Sequence, residues 1–246
     1  MSVERTFSVL EHLARSGPSS LRGIARELGL PIGSVHRLLH ALEQQGAVER
    51  TESDEWTVGR RVLELAGAQL ERIGLPKAAR PVLEQLSERT GQTAFLAVRS
   101  GAEVVYLDKV QTSAHVQLYV ELGARRPVHS TALGKAMLAF AAEQVHDEVL
   151  GGPLAAVTEH TITDPELLRR QLVTVRDRGY ATDRDESAVG ICCLAAPVLD
   201  HLGHVAGAVS IAGVDPRLRA EAPSMVQAIT GAAGQISGRI GYSAPA

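Results

Sequence analysis

Apolar residues recur at helical spacing through the first 46 residues of the chain, and this pattern predicts three short helices. The first spans about residues 2 to 15 and ends at the breaker SGPSS. The second lies in SLRGIARELG, between a serine cap and Gly29, and the third runs from Pro31 to Gly46. Their apolar faces consist of Val3, Phe7, Leu10 and Leu13, of Leu21, Ile24, Ala25 and Leu28, and of Val35, Leu38, Leu39 and Leu42.

The tight turn GLP separates the second and third helices, which together form a helix-turn-helix pattern. Next, AVERTESDEWTVG alternates around a polar tip and predicts a hairpin beside the third helix, as in a winged domain. A helix is expected from Gly59 to about Ile73, and KAARPVLEQLSERTG predicts another. We therefore predict a winged helix-turn-helix domain at residues 1–58, a linker helix at 59–74 and a second domain at 75–246.

Beyond residue 90 the pattern changes to short β-branched runs separated by turn residues. The predicted strands are TAFLAVRS, EVVYLDKV, HVQLYVEL, ICCLAAPVLD and HVAGAVSIAG. The predicted helices are Ala132 to Phe140, Glu143 to Leu150, Asp164 to Arg178 and Ser224 to Ile240. This non-alternating order indicates an α+β domain in which helices flank an antiparallel sheet.

A recognition helix buries one face and presents the other to a DNA major groove about 12 Å wide. The third helix would expose Gly33, Ser34, His36, Arg37, His40 and Gln44. Residues near its start are best placed for the groove, so we predict that Arg37 and His36 contact base edges and that Ser34 contacts phosphate. We also predict that Arg22 and Arg50 contact backbone phosphates. The alternatives are a helical module without DNA and, for His36 and His40, a metal site that lacks a third ligand nearby.

Charge does not by itself favour DNA, because the net charge is −3 and the first 60 residues hold seven arginines, no lysine and eight acids. Any nucleic-acid surface must therefore come from placement rather than from surplus charge. No apolar run resembles a signal peptide or a membrane span, so we expect a cytoplasmic protein without a membrane partner. In that compartment the only two cysteines, Cys192 and Cys193, are expected to stay reduced.

The segment HSTALGKA lacks the spacing of a phosphate loop, but the helix start at Thr131 to Leu133 offers amide groups and a helix dipole that favour an anion, so Thr131 is a predicted effector-binding residue. The alternative is that Ser130 and Thr131 only cap the helix. Along VAGAVSIAG, the period of two puts a bulky face and a small face on opposite sides. The bulky face is Val205, Gly207, Val209 and Ile211, and the small face is Ala206, Ala208, Ser210 and Ala212.

Several blocks in order resemble the IclR family of transcriptional regulators: IARELGLP with SVHRLLHALEQQGAVER, PVHSTALGKAMLAF, TITDPELLRRQL, RGYATDRDES, VGICCLAAPV and GAVSIAG. The chain departs from the family at Ile32 and Gly33 and in its acidic wing tip. The resemblance implies a GAF-like second domain that binds a small organic acid. It also implies a dimer or tetramer whose DNA-binding domains (the readers) pair on a near-palindromic operator. It places Ala132, Leu133, Asp183, Cys193 and Ser210 in the effector pocket, together with Ala212, where some relatives have a second serine.

The missing hydroxyl at Ala212 makes one side of that pocket more apolar, which favours an aromatic or longer-chain acid. The resemblance also implies that Cys193 faces the pocket while Cys192 packs on the other side. We expect Asp183 to accept hydrogen bonds from an effector hydroxyl or from nearby amides; the alternative is a surface-loop carboxylate beside Asp185 and Glu186. No cofactor is predicted. The rival hypothesis is an enzyme, either with a cysteine nucleophile served by a histidine or with a metal on His129, Asp183 and Cys193.

Overall fold

The computed structural model describes residues 3–111 and 120–243, with the backbone alone over 67–73. The chain divides into two compact units, one ending at Ile73 and the other beginning at Gly74, so the helix expected as a linker groups with the first unit. Within the described residues, every helix is too short or too polar to cross a bilayer. The predicted α+β class with flanking helices and an antiparallel sheet is confirmed.

The first unit is a winged helix-turn-helix domain, as predicted. Its elements are α1 (Val3–Ser16), α2 (Leu21–Glu27), α3 (Ile32–Gln44), β1 (Val48–Arg50), β2 (Trp56–Val58) and α4 (Arg60–Ile73). The Ser20 hydroxyl caps α2 by accepting from the amide of Gly23 at 3.1 Å. The wing is antiparallel, and a bridge from Ser19 to the buried Trp56 ties it to the helical core.

The second unit contains β3 (Thr93–Ser100), β4 (Glu103–Val110), β5 (Arg125–Pro127), β6 (Ala181–Arg184), β7 (Cys192–Leu199) and β8 (Val205–Gly213). Its helices are α5 (Leu75–Thr90), α6 (Ala132–Ala139), α7 (Glu143–Leu150), α8 (Pro165–Arg178), α9 (Pro216–Arg219) and α10 (Pro223–Arg239). The six strands form one antiparallel sheet in the order β5-β4-β3-β8-β7-β6. Strands β5 and β6 therefore form its two edges.

Three of these elements were not predicted: β5, β6 and α9. The predicted strand HVQLYVEL lies mostly outside the described residues, and its described end at residues 120–122 is irregular. Each missed element has at most four residues, which is too short for a periodic pattern to stand out.

Each face of the sheet covers its own core, as the alternation along β8 predicted. Ile211 and Val209 pack with α5 and α10 on one side, whereas Ala208 and Ala212 pack with α6 and α8 on the other. The assignment of Val205 to the bulky face was wrong, because it packs with the α6 side. The register of β7 with β8 shifts between Val198 and Leu199, and this bulge reverses the alternation at the start of β8.

Candidate functional site

A cavity of about 160 Å³ lies on the α6 side of the sheet in the second unit. The structure brings all seven residues predicted for the effector pocket to its lining: Thr131, Ala132, Leu133, Asp183, Cys193, Ser210 and Ala212. Sequence reasoning missed seven further lining residues: Phe95, Tyr106, Val120, Arg126, Ser187, Ala188 and Ile191. The missed residues come from β3, β4, the irregular segment before β5, β5 itself and the loop after β6, which only the fold brings together.

The start of α6 forms part of the lining. The Thr131 hydroxyl caps the helix by accepting from the Gly134 amide at 3.0 Å, and the Ser130 hydroxyl donates to the Pro127 carbonyl at 3.2 Å. Thr131 thus caps the helix, as the alternative interpretation proposed, whereas Ser130 bonds the turn that precedes it. The amides of Ala132 and Leu133 occupy the first helical positions, where an α-helix offers no internal acceptor. These amides are available to an anionic or carbonyl group in the cavity.

The two cysteines lie on opposite faces of β7. Cys192 is buried in the core beneath α5 and α10, while Cys193 is half-buried and lines the cavity. In the sheet, Cys193 is the cross-strand neighbour of both Ala212 and Asp183. Burial raises the pKa of Cys193 well above its ordinary value, and the nearby Asp183 carboxylate raises it further. Cys193 therefore presents a neutral thiol to the cavity at neutral pH.

Asp183 is only 1% exposed, so it is not a surface-loop carboxylate. Its Oδ1 accepts from the amides of Glu186 at 2.8 Å and Ser187 at 3.2 Å, and its Oδ2 accepts from the Ser187 hydroxyl. Burial raises the pKa of Asp183, against the opposing effects of the Ser187 hydroxyl and the Lys135 ammonium. These bonds fix the loop that carries Ser187, Ala188 and Ile191 into the cavity lining.

Lys135 is fully buried behind this wall. Its Nζ lies 2.5 Å from Oε1 of Glu186, whose side chain is 8% exposed. Burial lowers the pKa of Lys135 and raises that of Glu186, and each charge opposes the effect on the other. The lysine of HSTALGKA therefore forms an internal ion pair and is not free to bind a phosphate. This agrees with the sequence, which lacks the spacing of a phosphate loop. Gly134 is required beside it, because a Cβ there would collide with the Val128 carbonyl.

The enzymatic alternatives find no geometric support in the part of the chain that the structure describes. No group of three or more metal-ligating side chains occurs there. The His129 Nε2 lies 3.0 Å from the Ala155 carbonyl oxygen, so this ring nitrogen is engaged in a hydrogen bond to the backbone. His129, Asp183 and Cys193 thus do not form the metal site considered from the sequence.

The residues predicted to contact DNA lie in the first unit. Along α3, His36, Arg37 and His40 are exposed and Ser34 is half-buried, while the opposite face is buried in the domain core. His40 lies beside Glu43, with Nδ1 3.5 Å from its carboxylate. Arg22 is exposed on α2.

Arg50, unlike the exposed Arg22 and Arg37, binds side chains of its own domain. Its guanidinium pairs with Asp54 at the wing tip and stacks over the Trp56 ring, 4.5 Å from the centroid. Asp54 adopts a left-handed backbone conformation, with φ of 61°, that an aspartate tolerates in a tight turn. A contact from Arg50 to phosphate would therefore compete with this ion pair.

The sequence of this chain matches known families and relatives along most of its length. The family model described as "Bacterial transcriptional regulator IclR C-terminal" matches residues 67–238, and "IclR helix-turn-helix domain" matches residues 2–52. The HTH-type transcriptional regulator BhcR of Paracoccus denitrificans is 34% identical over 234 residues, covering 92% of this chain and 84% of BhcR.

Among solved structures, the Thermotoga maritima IclR has a TM-score of 0.80 at 31% identity and covers 98% of both chains. An IclR homologue from Microbacterium hydrocarbonoxydans, complexed with 4-hydroxybenzoate, has a TM-score of 0.84 at 28% identity, covering 96% of this chain and 97% of that one. These relatives are regulators rather than enzymes. The chain belongs to the IclR family of DNA-binding transcriptional regulators.

Proposed function

We propose that a small organic acid, bound in the cavity of the second unit, controls operator binding by this regulator. The observation that carries the proposal is the cavity itself, which gathers all seven predicted effector residues around the free amides at the start of α6. Helix amides and the positive end of the helix dipole favour an anionic group such as a carboxylate.

The size and surface of the cavity support a compact, partly apolar acid. Its volume of about 160 Å³ is close to that of an engineered apolar cavity of roughly 150 Å³ that binds benzene. Phe95 and Tyr106 meet edge to face on its wall, with ring centroids 5.5 Å apart. The Microbacterium homologue binds a hydroxylated aromatic acid. With Ala212 in place of a second hydroxyl, an aromatic or branched acid suits this cavity better than the smallest hydroxyacids.

On the DNA side, we infer that Arg37 and His36 contact base edges, with Ser34, His40, Arg22 and Arg50 in supporting contacts. Two-fold pairing of the readers would make the operator a near-palindrome and the protein a dimer or tetramer. Exposed apolar side chains on α1 and α4 suit such pairing: Val3, Phe7, Leu63 and Leu65 are each at least 59% exposed. A regulator of chromosomal operators would act in the cytoplasm.

An acid can regulate only if it favours one arrangement of the readers over another. The test is a gel shift with DNA from beside the protein's own gene, repeated with a panel of aliphatic and aromatic acids. We expect a specific, salt-sensitive shift whose midpoint changes with at least one acid, and that acid should also raise the melting temperature. A shift no stronger than that with random DNA, or one that no acid changes, would contradict the proposal.

A further inference from the structure

Two adjacent arginines on the edge strand β5 have different surroundings. The Arg125 guanidinium donates to Oε2 of Glu103 at 2.6 Å and to the Ser100 hydroxyl at 3.2 Å. Arg126 stands opposite Val104, which is buried in the core on the α6 side of the sheet. Because neighbouring strand residues point to opposite faces, Arg126 is directed to the side where the cavity lies, and it lines that cavity.

Arg126 differs from the other charged groups around the cavity in having no acidic partner among the described residues. Its Nη1 donates a 3.3 Å hydrogen bond to the Arg125 carbonyl. The charge of Lys135 is balanced by Glu186, and both oxygens of Asp183 accept bonds from its own loop. The undescribed segment 112–119 reads TSAHVQLY and contains no acidic residue. The cavity therefore has one uncompensated cation in its described lining.

The positive and negative groups of the lining lie at opposite ends of the cavity. Arg126 belongs to β5 and Asp183 to β6, so the two charged residues of the described lining come from opposite edges of the sheet. Between them along the sheet, Tyr106 on β4 and Ser210 on β8 line the cavity, and neither hydroxyl bonds to a described residue; the two residues are 9% and 2% exposed. A ligand thus meets a positive group at one end, two hydroxyls along its length and a negative group at the other.

We propose that Arg126 binds the carboxylate of the effector, so that the effector lies with its acid group toward β5 and its body toward β6. This inference rests on the proposed function and specifies its ligand. A guanidinium favours a carboxylate because two parallel N–H donors match the two oxygens. The start of α6 carries only about half a unit charge, whereas Arg126 carries a full one. At the far end, Asp183 would repel a second carboxylate, which selects monocarboxylates over dicarboxylates.

The experiment compares acids with their uncharged amides by isothermal titration of the full-length protein. The probes are benzoate and benzamide, isobutyrate and isobutyramide, and terephthalate as a dicarboxylate. In the wild type, we expect the better monocarboxylate to bind about tenfold or more tightly than its amide. Terephthalate should bind more weakly than benzoate. Arg126→Gln should lose that preference while its affinity for the amide stays the same, and Arg126→Lys should keep part of it.

Arg125→Gln is the matched control, since it removes the same charge from the neighbouring residue on the other face of β5. Melting temperatures of all variants establish that each protein is folded. If Arg126→Gln binds the acid as tightly as the wild type, the carboxylate lies on the α6 amides and our inference is wrong, although the regulator would still respond to acid. If no acid binds the wild type at millimolar concentration while the operator shift persists, both this inference and acid control are overturned.

Discussion

The Nζ of Lys135 on α6 lies 2.5 Å from Oε1 of Glu186 in the loop after β6, and both side chains are buried. This ion pair joins the helix that begins at the cavity to the loop that forms another part of its wall. The second oxygen of Glu186 has no hydrogen-bond partner in the structure, so the pair is poorly compensated for its burial. A buried pair of this kind contributes more to a specific arrangement than to net stability.

Replacing one member of this pair should therefore cost more than replacing both. We expect Lys135→Met to lower the free energy of unfolding by about 3 kcal/mol, because it leaves Glu186 buried without its partner. The double variant Lys135→Met, Glu186→Met should recover most of that loss. Chemical denaturation followed by circular dichroism measures both effects, while fluorescence of the only tryptophan, Trp56, reports separately on the first unit. Glu103→Gln, which breaks an exposed pair, is the control and should cost less than about 1 kcal/mol.

Arg37→Ala should greatly weaken specific operator binding and leave acid binding intact. The side chain is exposed on the recognition helix, so its removal costs base contacts worth about 1–3 kcal/mol without disturbing the core. Gel shift measures the first effect and calorimetry the second. Arg89→Ala removes an exposed arginine from the second unit and should change neither. Operator affinity that survives Arg37→Ala would show that α3 does not read the DNA as assigned.

The wing ion pair should limit DNA affinity. Asp54→Asn retains the left-handed backbone conformation but frees Arg50, so binding should strengthen and the slope of log K against log salt should steepen by about one. Glu52→Gln removes an equal charge from the wing tip but leaves the Arg50–Asp54 pair intact. This control therefore distinguishes the effect of freeing Arg50 from the effect of a less negative wing. Equal effects of the two substitutions would count against a role for Arg50.

The raised pKa of Cys193 should make its alkylation by iodoacetamide slow at pH 7. The thiolate is the reactive form, and burial shifts its appearance above the ordinary value near 9, so the rate should keep rising beyond pH 9. A bound acid should protect Cys193, because the residue lines the cavity. Cys193→Ser retains only the buried Cys192 and should be unreactive while folded. Rapid alkylation at pH 7, or no protection by an acid that binds, would contradict this placement.

Pairing through the first unit should depend on its exposed apolar side chains. We expect Leu63→Arg to shift the mass measured by light scattering toward the monomer and to weaken operator binding at low protein concentration. Leu202→Arg changes a comparably exposed leucine in the turn after β7 and serves as the control. If Leu63→Arg leaves the mass unchanged, α4 does not contribute to the interface.

Periodicity in the sequence was enough to assign Cys192 and Cys193 to opposite faces of the sheet, and likewise Ser210 and Ile211, because adjacent strand residues face opposite sides. It could not identify Arg126 or Tyr106, whose places depend on the register of β4 with β5 and on the order of strands in the sheet. The sequence did not reveal the ion pair of Lys135 for a similar reason, since its partner Glu186 lies 51 residues further along the chain. The short strand β6 was missed because it has four residues and because one of them, Asp183, is a carboxylate that is buried through its bonds to the loop that follows.

The position of Arg126 on a three-residue edge strand has a consequence for how effector preference can change over evolution. The strand β5 pairs with β4 alone, the Arg126 side chain is exposed, and its hydrogen bond goes to the backbone of the neighbouring Arg125. A single substitution there would alter the charge offered to a ligand and leave the fold's stability nearly untouched. Members of one family could thus acquire different effectors by drift at an edge, while the sheet, the capped helix and the buried ion pair stay the same.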